Sequence, residues 1–64
     1  MFLLIGCKTN GDQFFQRCRN VHMVRSKMLD CILDNNVVTA SLRVVRSRDM
    51  QDMTNWIWEV ENDD

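Results

Sequence analysis

The chain has no proline, no tyrosine, only two glycines and a single histidine among its 64 residues. Two isolated glycines cannot build a phosphate-cradling loop, and the absence of Pro- or Gly-rich tracts excludes a linker or low-complexity segment. One histidine, with no serine placed beside a base, leaves nucleophilic catalysis without its parts. The cysteines Cys7, Cys18 and Cys31 are odd in number and have no C-x-x-C spacing, so neither a disulfide framework nor a ribbon-type zinc site is expected. Adding His22 gives C-x10-C-x3-H-x8-C, which has the ligand types but not the loop spacing of a metal site. Cofactors and metals are therefore expected to be none, and the thiols read as reduced side chains on apolar faces. No apolar run is long enough to span a bilayer, so a cytoplasmic location is expected.

What is present is globular in composition: 45% hydrophobic and 27% charged residues, with both signs mixed. The length allows one domain, placed at 1–61, with a frayed acidic end at 62–64, and so short a chain buries only about 60% of its unfolded surface. Net charge is −1, but it is unevenly spread. Residues 1–48 carry eight basic side chains against Asp12, Asp30 and Asp34, a balance of +5, and residues 49–64 carry six acids and no base, a balance of −6.

The stretch Asn20 to Asn36 has helical periodicity. Val21, Val24, Met28 and Ile32 fall in one narrow sector with Leu29 and Cys31 on its flanks, Asn20 reads as the N-cap, and Asn35-Asn36 supplies a left-handed stop. Its charges oppose the helix dipole, with Arg25 and Lys27 early and Asp30 and Asp34 late.

Ahead of it, Phe2 to Thr9 and Asp12 to Arg19 flank Asn10-Gly11, the pair that favours a two-residue hairpin turn. That turn pairs Cys7 with Phe14, Ile5 with Gln16 and Leu3 with Cys18 on a core face. It leaves Phe2, Leu4, Phe15, Arg17 and Arg19 on the other. The alternative keeps Phe14, Cys18, Val21, Val24, Met28 and Ile32 in phase as one long helix over 12–35, giving βαββ.

Val37 to Arg46, rich in β-branched residues, reads as a strand with Val38, Ala40, Leu42 and Val44 toward the helix. Ser47 to Asn55 reads as a loop or single helical turn. Asn55 to Glu61 alternates as a last strand, with Trp56, Trp58 and Val60 on one face, closing the core, and Ile57 on the other. The expected fold is α+β, order ββαββ, with the helix on one face of a small sheet.

The other sheet face is then partly apolar and rich in arginine. Phe15, Arg17, Arg19, Arg43, Val45, Arg46 and Ile57 form the expected interaction surface, with Phe2, Leu4 and Val37 adding apolar area. This mixture suits a small non-catalytic module that binds a larger protein as an inhibitor or adaptor, with edge strands that also invite a homodimer. The alternative is nucleic-acid binding, with Phe15 as a stacking platform among the arginines; the pI of 5.7 opposes it.

Two resemblances follow from particular residues. Leu4-Ile5-Gly6-Cys7 resembles the lipobox of bacterial lipoproteins, but only Met1, Phe2 and Leu3 precede it, where a leader needs a basic start and a longer apolar run, so no lipid anchor is expected. The apolar start with Asn10-Gly11, the helix ending ILDNN, the strand VVTASLRVV and the late WIWEV give an architecture similar to small phage-encoded proteins that inhibit or redirect host enzymes and defence systems. That similarity implies an inhibitor or adaptor and transfers no site residues.

Overall fold

The computed structural model describes residues 1–60; the acidic end expected at 62–64 lies outside the described residues. The fold is α+β. Strands β1 (Phe2–Cys7) and β2 (Gln13–Cys18) form a hairpin, helix α1 (Val21–Ile32) follows, and strand β3 (Arg43–Arg46) completes an antiparallel sheet of order β2-β1-β3. A short helix, α2 (Trp56–Glu59), closes the described chain.

The hairpin is present and the long helix over 12–35 is not, but the register differs from the expected one by a residue. Lys8 N–H donates to Asp12 O at 2.7 Å and Gly11 N–H to Lys8 O at 2.9 Å, enclosing three loop residues instead of two. Gly11 sits at φ +96°, the left-handed position such a loop requires, and Asn10 Oδ1 accepts from Asp12 N–H at 2.9 Å. The pairs become Phe2 with Cys18, Leu4 with Gln16 and Gly6 with Phe14. Because side chains alternate with period two, this step turns β1 over. Phe2 and Leu4, expected on the open face, are buried in the core, and Leu3, Ile5 and Cys7, expected in the core, face the other way.

Gly6 belongs to the buried face, and there the absence of a side chain is used. A Cβ at this position would lie 2.6 Å from Phe14 Cζ and 2.8 Å from Leu42 Cδ2, so both side chains pack directly over the bare backbone.

Helix α1 begins where its residues dictate, with Asn20 Oδ1 accepting from Met23 N–H at 2.8 Å. Val21, Val24 and Met28 are buried as its periodicity predicts. The stripe then drifts: Cys31 packs on the core, whereas Ile32 is exposed and the helix stops there, before Asn35-Asn36.

The expected strand over Val37–Arg46 is broken in two. Lys8 bridges Val37, after which Thr39–Ser41 form a turn of 3-10 helix. Ser41 Oγ accepts the Cys7 N–H at 2.8 Å that a continuous strand would have taken with its backbone. Val44 and Leu42 are buried as expected, but Val38 and Ala40 are exposed.

The expected last strand is a helical turn. What runs along the outer edge of β3 is the segment before it: Arg46 N–H donates to Gln51 O at 2.8 Å, Met53 N–H to Val44 O at 2.7 Å, and Val44 N–H to Thr54 Oγ1 at 3.0 Å. Met50, at φ +57°, makes the reversal that returns the chain along β3. The helical turn then drives Ile57 into the core at 0% exposure, in contact with the cluster of Phe2, Leu4, Val21, Val24, Val44 and Met53. Trp56 stacks on Phe2 at the core's rim with ring centroids 6.1 Å apart and stays part-exposed, and Trp58 is exposed, so Ile57 and not the tryptophan pair closes the core's centre.

Candidate functional site: the uncovered sheet face

The helices and the core occupy one face of the sheet. On the opposite face the register aligns two cross-strand rows, Phe15 with Ile5 and Arg43, and Arg17 with Leu3 and Val45. Phe15 is 70% exposed, while Leu3, Ile5 and Val45 are half-buried by their neighbours alone. Leu3, Ile5 and Phe15 line a shallow groove of about 510 Å³ with Gln13 and Phe14.

Of the residues expected to form the interaction surface, Phe15, Arg17, Arg43 and Val45 do lie together on this face. Three others do not. Ile57 is in the core, because a helical turn rather than a strand carries it. Arg46 has the opposite strand parity and is held in a fork by Asp49, with Nε to Oδ1 at 3.0 Å and Nη2 to Oδ2 at 2.8 Å, and by Gln51 Oε1 at 2.8 Å. Arg19 lies past the end of β2, its backbone N–H directed to Met23 Sδ. Leu3 and Ile5 were the residues missed. No polar residue marks either face of FLLIGC, so their orientation follows only from the loop length, and the one signal was Gly11 in the third loop position.

The strands contribute arginines to this face, and Asp52, paired with Val45, sets one carboxylate at its rim near Arg43. Arg17 makes no hydrogen bond or ion pair with another described residue, and Arg43 Nη1 donates to the carbonyls of Ala40 at 3.1 Å and Leu42 at 2.7 Å. No acid projects from this face of the three strands. Asp52, beside Val45 at the rim, has its carboxyl lowered from the ordinary value first by the Thr54 hydroxyl and then by the Thr54 N–H. Asp49 is held at about 2, chiefly by its hydrogen bond from Arg46.

Among the described residues, no three His, Cys, Asp or Glu side chains converge, and no helix is long and apolar enough to cross a membrane. Burial pushes the Cys18 and Cys31 thiols up, which makes them poor nucleophiles near neutral pH. Comparison with protein-family models, curated proteins and solved structures finds no match for this chain.

Proposed function

We propose that this protein is a small non-catalytic interaction module that binds a larger protein through its uncovered sheet face. It acts as an inhibitor or adaptor by occupying that surface. The observation that carries the reading is the alignment of Leu3, Ile5, Phe15 and Val45 on a face that no second layer of described residues covers, with Arg17 and Arg43 at its sides. An apolar centre with arginines is the composition of a protein interface, and with Arg17 and Arg43 against the rim acid Asp52 the face suits a partner surface that is apolar with carboxylates around it.

Nucleic-acid binding has less support. Of the four arginines expected on the basic face, Arg46 is held by Asp49 and Gln51, and Arg19 lies off the strand, while Arg43 is tethered to two carbonyls. That leaves too few free cations on one surface for the counterion release that drives such binding.

The test is capture of the partner from the native host, followed by reconstitution from purified components. Arg43→Glu combined with Val45→Thr alters the face without touching the core, and is expected to weaken binding about tenfold or more. Leu33→Ser, at the exposed C-terminal end of α1, is expected to leave it unchanged. The reverse pattern would move the binding surface to the helix and defeat this reading.

A further inference from the structure

The two edges of the sheet are unlike. The outer edge of β3 is closed by residues 50–54, which take up the outward N–H and C=O groups of Val44 and Arg46. Among the described residues, the outer edge of β2 has no such cover. Lys8 and Asp12 form a hydrogen-bonded pair, so alternation along the hairpin turns the backbone groups of Phe14, Gln16 and Cys18 toward β1 and those of Gln13, Phe15 and Arg17 outward. All three outward residues are exposed, and no described residue pairs with their backbone. The edge ends at Arg17, because the next outward N–H, that of Arg19, already points to Met23 Sδ.

We infer that this edge pairs with the same edge of a second copy, antiparallel and centred on Phe15, joining two sheets into one of order β3-β1-β2-β2-β1-β3. Three features of the strand select a second copy. Outward residues must meet outward residues, and the register centred on Phe15 is the one that matches Gln13, Phe15 and Arg17 to one another in full, exchanging about six main-chain hydrogen bonds. It sets Phe15 against its own counterpart and Arg17 against Gln13, so no like charges face each other. The strand is also charged oppositely at its two ends, with Asp12 before it and Arg17 and Arg19 at its close. Antiparallel pairing lays the acid end of each copy beside the basic end of the other. The two-fold arrangement is closed, so it stops at a dimer instead of growing into a fibre.

This inference rests on the backbone edge; Phe15 and Arg17 also project onto the face proposed to bind a partner, whereas Arg43 and Val45 belong to that face alone. Sedimentation equilibrium of the full chain over a wide concentration range, with residue-resolved amide exchange, tests it. The expected mass at high concentration is twice 7.6 kDa. The amides of Gln13, Phe15 and Arg17 should gain protection as the dimer forms, whereas those of Phe14, Gln16 and Cys18, bonded to β1, stay protected throughout and report that the fold is intact. Phe15→Lys places like charges across the axis and should weaken association about tenfold or more. Gln13→Glu, facing Arg17, should tighten it, and Arg43→Glu with Val45→Thr should leave it unchanged. A chain that stays monomeric, or a dimer that survives Phe15→Lys with the outward amides unprotected, overturns the inference. So does protection of those amides that appears only when a different protein is added, since the edge then takes a foreign strand.

Discussion

Arg46 ends β3 where the reversal begins and Asp49 lies within that reversal, and their two-pronged pair fixes it from outside. Asp49 also accepts the Gln51 N–H, so one carboxylate holds the corner from both directions. Its depressed pKa makes this a pH-dependent contribution. The folded value is about 2 and the unfolded one lies near 4, so the stabilisation is complete above about pH 4 and is lost as pH falls through about 2. Asp52, lowered through Thr54, acts in the same direction. Both carboxylates are in solvent, so the slope is shallow. Urea midpoints measured between pH 5 and 2, values spanning the roughly two-unit window, should fall for the natural chain. Asp49→Asn should start lower at neutral pH and decline less; identical profiles for the two would show that the pair adds nothing to folding.

At the scale of elements, Arg25 gives a reason for a charge that the helix itself disfavours. It sits in the N-terminal half of α1, against the dipole, yet its guanidinium donates to the carbonyls of Ile57 and Val60, the orphan acceptors at the end of α2. A four-residue helix cannot hold itself, so α2 depends on this clamp and on Ile57 in the core. Arg25→Ala should cost about 1.5 to 3 kcal/mol, the range for hydrogen bonds to a charged group. Lysine should restore only part of that, since one ammonium lacks the fork that reaches both carbonyls. Urea denaturation followed by tryptophan emission measures both the stability and the release of Trp56. An unchanged midpoint for Arg25→Ala would mean that the apolar contacts alone dock α2.

The same elements show what was legible in the sequence. Asn20, Val21, Val24 and Met28 announced α1, and Asn10-Gly11 announced the hairpin, because caps, periodicity and turns are local physics. The face of β1 was not local. It turns on one residue of loop length, and a strand apolar on both sides carries no correcting signal. The late WIWE alternates well enough to pass for a strand, but only tertiary packing selects the helical turn that buries Ile57 and leaves Trp58 at 45% exposure. Phe15, Arg17, Arg43 and Val45 were placed on the open face because β2 and β3 do alternate. Ile57 was misassigned to it because only the chain's return and helical turn bury it, whereas Arg46 shares the parity of buried Val44, which strand alternation alone already indicated.

For the whole molecule, the decisive quantity is how little core there is. Ten buried apolar residues serve the 60 described, and they come from every part of that stretch, from Phe2 to Ile57. Domains of this size hold about 3 to 10 kcal/mol of stability in all. Ile57 is fully enclosed and joins the end of the chain to β1, α1 and β3, so Ile57→Ala removes contacts that nothing nearby can replace. The expected loss is about 2 to 5 kcal/mol, comparable to the entire reserve. Circular dichroism of that variant should show a large fraction unfolded at room temperature, with the transition shifted to much lower urea. A partner that binds only the folded sheet face must then restore structure by mass action, in proportion to its concentration over its dissociation constant. Adding the reconstituted partner to Ile57→Ala, and watching whether the folded signal returns, therefore tests the core and the binding face together. Recovery would show that the partner binds the folded chain, with Arg43→Glu and Val45→Thr locating it on the sheet face, and binding without recovery would place it on a segment that needs no fold at all.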